Sequence, residues 1–207
     1  GWMILHEKNK MYDQRVMTPS EKKYLVGYWQ SEKYFLHIRD ILINDFSLKV
    51  PFHGINLEMA MKMSKTNSVS LHLRRLHGIS NGIESSAHNE THGALILDYY
   101  QNALNYIKER VSDLNIFVFS DDQDWARSNI NLPFPTYFMD QNDDNHNYLD
   151  LILMSKCKHQ IIANSSFSWW GAWLNQNPSK IVISPRKWFV DDELNENDTI
   201  PLNWIKL

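Results

Sequence analysis

The pattern of apolar and polar positions changes period near residue 66. Before that point, "YWQSEKYFLHIRDILINDF" places Trp29, Phe35, Ile38, Ile41, Leu42 and Phe46 at helical spacing, which predicts an amphipathic helix. Pro51, His53 and Gly54 break the pattern, and a short helix is expected from about Leu57 to Lys65. Beyond it, strand-like and helix-like runs take turns. Residues 68–73, "SVSLHL", read as a strand, "LDYYQNALNYIKER" as a helix and "NIFVFS" as a strand. A short helix near Trp125 and a strand "TYFMD" follow. "NYLDLILMSKC" reads as a helix, "HQIIAN" as a strand, and "SFSWWGAWLNQN" as a helix capped by Ser165 or Ser166. "KIVISP" is a last strand closed by Pro185. Such alternation predicts an α/β protein with a parallel sheet flanked by helices. Two regions are expected: residues 1–56 as a connecting region with the amphipathic helix, and residues 57–207 as the α/β domain.

In a doubly wound sheet, ligands bind beyond the carboxyl ends of the strands, where strand order reverses. The polar clusters of this chain fall at those ends. His72, Arg74 and Arg75 close one strand, Ser120, Asp121 and Asp122 the next, Asp140 a third, and Asn164, Ser165 and Ser166 a fourth.

Composition narrows what those clusters can meet. The chain has 207 residues, 43% of them hydrophobic and 22% charged, and no apolar run approaches the roughly 20 residues that span a bilayer. Its formal net charge of −3 offers no general attraction to polyanions, so a bound anion needs a local cluster and a nucleic-acid partner is not expected. One cysteine, Cys157, cannot form an internal disulfide, which agrees with a reducing compartment. The sequons at Asn89, Asn164 and Asn197 are then expected to be coincidental. The chain opens on Gly1 without a signal-peptide pattern and reads as part of something longer.

Two adjacent arginines at a strand end can grip two phosphate groups, because each guanidinium stays charged and offers a planar fork of donors. An ion pair with Asp121 or Asp122 is the alternative. Alternation puts His72 and Arg74 on one face, with Leu71 and Leu73 opposite. No G-x-G-x-x-G or Walker A loop is present, and no G-x-S-x-G elbow. Asp122-Gln123-Asp124 has the D-x-D spacing of a site that holds a divalent cation against a nucleotide diphosphate, yet Asp124 also suits a helix N-terminus. Asp121 and Asp122 could instead bond ribose hydroxyls or base donors. His88 and His92 flank Glu90 without the H-E-x-x-H pattern or a third ligand, so no zinc site is expected there. A helix starting at Ser165–Ser166 offers backbone N–H groups and hydroxyls to an anion. Trp169 and Trp173 share a face that is expected to pack on the sheet, and Gly171 and Ala172 allow close approach of a neighbour.

Three stretches, in order, carry a resemblance to the α-1,2-fucosyltransferases of glycosyltransferase family 11. "VSLHLRR" resembles that family's H-x-R-R motif, "FVFSDDQDW" its F-S-D-D-x-x-W motif, and "LMSKCKHQIIANSSFSWWGAWLNQNPSKIVISPRKW" its long C-terminal signature. "GYWQSEKYF" at residues 27–35 also matches. The resemblance implies a GT-B type fold whose Rossmann-like sheet, residues 57–207, binds GDP-β-L-fucose. L-fucose would pass, with inversion, to the 2-hydroxyl of a galactose-containing glycan acceptor, with no metal required and no other cofactor. It implies that His72, Arg74 and Arg75 belong to the catalytic donor motif, with the arginines on the diphosphate. Asp121 and Asp122, with Ser120, would hold ribose or guanine, and Asn164, Ser165, Ser166 and Ser168 would line the donor crevice. A bacterial-type, cytoplasmic enzyme is implied, compatible with peripheral association with a membrane.

Two departures matter. Leu76-His77 stand where the family has Gly-Asp after its arginines, which removes a carboxylate beside the phosphate site. The family's glycine-rich N-terminal segment is absent, so the chain is expected to be the donor-binding domain plus a connecting helix, without an N-terminal domain. The alternatives are a catalytically impaired nucleotide-sugar-binding module and a metal-dependent GT-A glycosyltransferase using the D-x-D.

Overall fold

A computed structural model of the chain describes residues 2–8, 10–19, 22–75, 79–80, 83–84, 95–191, 194 and 197–207. Its centre is a six-stranded sheet. The strands are β3 (Asn67–Leu73), β6 (Leu114–Ser120), β7 (Thr136–Phe138), β8 (His159–Ile161), β9 (Val182–Ser184) and β10 (Ile205–Lys206). They lie in the order β10-β9-β8-β3-β6-β7, and every neighbouring pair is parallel. Outside the sheet are a two-stranded parallel pair, β1 (Met3–His6) with β2 (Lys23–Val26), and a small antiparallel pair, β4 (Ile79–Ser80) with β5 (Ile83–Glu84).

Helices cover both faces, as the alternation of runs predicts. Odd positions of β3 (Val69, Leu71 and Leu73) join Ile116, Val118, Ile161 and Ile183 in one core layer. That layer packs on Tyr99, Tyr100, Ala103, Leu104 and Ile107 of α3 (Leu97–Lys108) and on Ala126 of α4 (Gln123–Asn129). The opposite face meets α2 (Gly54–Lys65), α5 (Asn147–Lys156) and α6 (Ser166–Trp173). There Met63, Phe117, Phe119, Leu153, Met154 and Cys157 form one cluster, and Ile162 and Val182 join Trp169, Ala172 and Trp173 in another. Burial raises the Cys157 thiol far above its ordinary range, so this lone cysteine is a small core side chain.

The long helix expected over residues 28–46 is replaced by two 3₁₀ turns, Glu32–Tyr34 and Leu36–Ile38, and a seven-residue helix α1 (Arg39–Asp45). Phe35 is the reason. Its ring lies 5.1 Å from that of Trp170, 5.2 Å from Trp173 and 6.1 Å from Trp169, and the chain bends around this anchor with Phe35 at φ −138°, ψ 3°. Leu42 and Ile43 pack beside it, whereas Ile41 and Phe46 are exposed. Residues 29–46 thus dock on α6.

A polar network pins the start of α2 to the loop before α5. Asn56 Nδ2 donates to Asn142 Oδ1 at 2.8 Å, Gln141 Nε2 donates to Asn56 Oδ1 at 2.9 Å, and Asn142 Nδ2 donates to Asp150 Oδ1 at 2.6 Å. Burial outweighs that last bond and pushes the Asp150 carboxyl up from 3.8 to about 6. A raised carboxyl means the folded state holds its proton longer than the unfolded one, so this stability contribution is complete below about pH 4 and is lost as pH rises through about 6. Asp150→Asn keeps the accepting oxygen and stays neutral. It should match the parent near pH 4 and exceed it by about 1–2 kcal/mol above pH 7 in urea unfolding; an equal difference at both pH values would refute the assignment.

Candidate functional site

Strand β3 is followed in the sheet by β6 and β7 on one side and by β8, β9 and β10 on the other. The chain therefore leaves β3 and β8 in opposite directions, and a crevice opens beyond their carboxyl ends. His72-Leu73-Arg74-Arg75 forms one wall and Asn164-Ser165-Ser166 the other.

On the first wall, His72 is buried and faces α6, its ring 5.8 Å from that of Phe167. Arg74 and Arg75 lie just past the strand and share one carboxylate. Arg74 Nη1 is 3.0 Å from Asp121 Oδ2, and the Arg75 backbone N–H donates to Asp121 Oδ1 at 2.8 Å. The parallel register sets this up, because Leu73 is level with Ser120 and so Arg74 follows beside Asp121. The Arg75 guanidinium carbon lies 3.7 Å from the ring centroid of Trp125, a close cation–π stack. Its Nε is buried with no hydrogen-bond partner among the described residues. A buried charged donor in that condition is unfavourable until an acceptor arrives. Tyr100 borders the pair: burial raises its hydroxyl far above the ordinary range, Asp121 raises it further and Arg75 opposes both.

Ser120 and Asp122 serve the turn. The Ser120 hydroxyl donates to the Asp122 carbonyl at 3.1 Å and accepts from the Asp122 N–H at 3.0 Å. The Asp122 carboxylate accepts from the Trp125 N–H at 3.0 Å and caps α4, with Asp124 in the first helical turn. Among the described residues no group of three or more His, Cys, Asp or Glu comes together as a metal site would need. Asp140 lies at the end of edge strand β7 and pairs with Arg127. Leu76 and His77, and the His88-Glu90-His92 run with Asn89, lie outside the described residues.

On the second wall, Asn164 and Ser165 are buried and Ser166 is exposed. Ser165 is the N-cap of α6 by position, but its side chain makes no capping bond. The first N–H groups of α6 thus receive no bond from the Ser165 side chain, and such groups at a helix start suit an external acceptor. Ser168 turns inward, its hydroxyl 3.4 Å from the carbonyls of Ala163 and Ser165, and so braces the turn.

The far end of α6 is held by two cations. Arg39 Nη2 donates to the Trp173 carbonyl at 2.8 Å, and Lys180 Nζ donates to those of Ala172 at 2.7 Å and Asn175 at 2.8 Å. Burial, with Arg39 nearby, brings Lys180 down to about 8. Trp169 and Trp173 do share a face and stack 6.2 Å apart, their Nε1 groups donating to the Thr199 carbonyl and to Glu32 Oε2. Both belong to the core.

The fold and this crevice are those of a Rossmann-like α/β protein with a cationic switch point. Residues 6–207 match the glycosyl transferase family 11 model, and the chain belongs to that family. It is 40% identical over 193 residues to an alpha-1,2-colitosyltransferase of Escherichia coli, covering 88% of this chain and 61% of the relative. It is 37% identical over 188 residues to the O-antigen biosynthesis glycosyltransferase WbnK of Escherichia coli, covering 88% and 60%. A galactoside 2-alpha-L-fucosyltransferase SEC1 of Bos taurus is 25% identical over 181 residues, covering 84% and 48%. The chain thus spans about 60% of the length of those bacterial relatives and about half of the mammalian one. No solved structure gives a significant match.

Trp125, Tyr100 and Phe167 border the crevice without having been singled out as contacts in the sequence. Trp125 closes the F-S-D-D-x-x-W stretch, a signal that could have found it; Tyr100 is one apolar position of α3 among several and gives none.

Gly171 sets how closely α6 approaches α5. A Cβ there would lie 2.9 Å from Met154 Cβ and 3.5 Å from the Leu151 carbonyl oxygen. Gly171→Ala should cost about 1–3 kcal/mol in chemical unfolding, against its usual helix-favouring effect. A more stable variant would contradict this packing.

Proposed function

We propose that the crevice binds the GDP part of GDP-β-L-fucose, and that the chain is the donor-binding, Rossmann-like portion of a GT-B galactoside α-1,2-fucosyltransferase. The observation that carries the reading is the meeting of Arg74 and Arg75 with the uncapped start of α6 across the switch point. A diphosphate suits that gap, with charge and forked donors on one side and backbone N–H groups on the other. The family membership and the α-1,2-fucosyl and colitosyl names of the relatives support this donor class.

The chemistry asked of these residues is electrostatic. The 2-hydroxyl of a galactose unit attacks C1 of fucose from the face opposite GDP and releases its proton to solvent, the C1–O bond to the β-phosphate breaks so that GDP departs, and a β-linked donor yields an α-linked product. Negative charge grows on the departing diphosphate. Arg75, stacked on Trp125, and Arg74, aligned by Asp121, are already oriented to meet that charge, which lowers the barrier without reorganisation. Fixed guanidinium charge serves here in place of a metal ion.

Replacing Arg74 and Arg75 together by Gln should weaken GDP binding about tenfold to a hundredfold or more by titration calorimetry, each charged hydrogen bond being worth roughly 1.5–3 kcal/mol. An unchanged dissociation constant would remove the basis of the proposal. Transfer by the full-length enzyme to a β-galactoside should survive EDTA; loss of turnover restored by Mn²⁺ would select the D-x-D reading instead. Tight GDP binding with no transfer to any acceptor would favour an inactive module, the reading that Leu76-His77 suggests.

A further inference from the structure

Residues 46–53, between α1 and α2, form a strap alongside α5. Both of its ends are fastened: the Phe46 ring lies 5.3 Å from that of Trp170, and Phe52 packs against the cluster that holds Met63, Phe117 and Leu153. What lies between them projects. Val50 is 72% exposed, and Phe46 itself is 46% exposed. Two open grooves, of about 580 and 690 Å³, share Phe46, Leu48, Pro51 and Phe52 as a common wall. One extends to Leu57 and the end of α5, and the other to Tyr148 at the start of α5. Leu57 and Tyr148 are exposed as well. These apolar side chains form one connected surface rather than scattered positions, and such surfaces mark contact with proteins or membranes.

The charge on this surface is opposite in sign to that of the chain. Lys49, Lys156 and Lys158 line the grooves, against Asp45 as the single carboxylate among their described lining residues, while the whole chain carries a formal −3. Lys49 and Lys156 are exposed. Lysine stems lie along apolar surface while their ammonium heads reach outward to polar groups. A second copy of this chain suits the surface poorly, because a two-fold contact would set the cationic patch against itself. A bilayer with acidic headgroups suits both features, offering phosphates at the level of the lysine heads and hydrocarbon just beneath. Helix α5 runs into β8, so the Tyr148 end of the surface is on the side of the sheet where the crevice opens.

We infer that the strap and the grooves beside it dock this protein on an anionic lipid bilayer. Phe46, Val50 and Tyr148 enter the boundary between headgroups and acyl chains, and Lys49, Lys156 and Lys158 meet lipid phosphates. The contact is reversible and needs no nucleotide.

The test mixes the full chain with vesicles of phosphatidylcholine alone, or of phosphatidylcholine with about one-third phosphatidylglycerol, and reads the bound fraction by flotation. Binding is expected only to the second, falling about tenfold or more as salt is raised from roughly 0.05 M to 0.5 M. Lys49→Gln with Lys156→Gln should weaken it about twentyfold or more, near fivefold for each lysine. Val50→Ser should weaken it about fivefold. These variants should keep the Tm and GDP affinity of the parent. Removing two cations across the sheet, Lys108→Gln with Arg110→Gln near the end of α3, should leave vesicle binding unchanged. Equal binding to both vesicle types, binding to neither, or an equal loss from the α3 pair would overturn the inference. Full binding by Val50→Ser would overturn it too, since charge alone would then suffice. Self-association that Val50→Asp abolishes, without vesicle binding, would assign the face to a second copy instead. GDP affinity is read separately on the same proteins, so failure of vesicle binding leaves the donor reading of the crevice standing, and the reverse holds.

Discussion

Parallel pairing of β3 along both its edges is the constraint from which the site follows. Val69 is level with Ile116 on one side and His159 on the other, and Leu71 with Val118 and Ile161. Because all three strands run the same way, their carboxyl ends open on one side, and the chain's polar clusters arrive there together. Slippage by one residue would turn Leu71 and Leu73 toward α6 and drive His72 into the apolar layer under α3, a cost that locks the register. The position of Arg74 beside Asp121 is therefore a product of core packing, read out at the strand ends.

Placing a carboxylate between two arginines looks at first like a poor way to build an anion site. The Arg74–Asp121 pair is part-exposed, so its attraction is of the order of 0–1 kcal/mol and is easily exchanged for a doubly charged ligand. What Asp121 supplies is order. One oxygen fixes the backbone of Arg75 and the other fixes the side chain of Arg74, so little side-chain freedom remains to be lost on binding. Trp125 does for Arg75 what Asp121 does for Arg74, holding the cation by its flat face.

Five strands of the main sheet were legible because each is an apolar run bounded by turn residues, and the parallel arrangement followed from helices set between them; β10, only two residues long, shows no such run and was missed. The stretch 28–46 was not legible as it is. Its apolar spacing is helical, but the contact that shapes it, Phe35 among Trp169, Trp170 and Trp173, comes from residues far along the chain, and local periodicity carries no trace of a distant anchor. The β1–β2 pair was missed because two four-residue strands, largely exposed, bury too few alternating positions to show a period. In the site, the motifs located the two walls, while the division of labour within "SDD" needed the structure. Asp122 could have been a ligand on type alone; capping of α4 by its carboxylate is a backbone event that residue identity does not decide.

Helix α6 joins these levels. "SFSWWGAW" carries no charge of its own, so the field along it is set by what meets its ends. Arg39 and Lys180 satisfy the carbonyls at one end, which leaves the positive pole at the other without compensation from its own cap, since Ser165 makes no capping bond. Mid-helix, Gly171 lets α6 lie against Met154, and the tryptophans bind it to the segment that carries Phe35. An element anchored at its tail and along its flank, with no capping bond from Ser165 at its head, can gain interaction free energy from an acceptor in the crevice opposite the arginines.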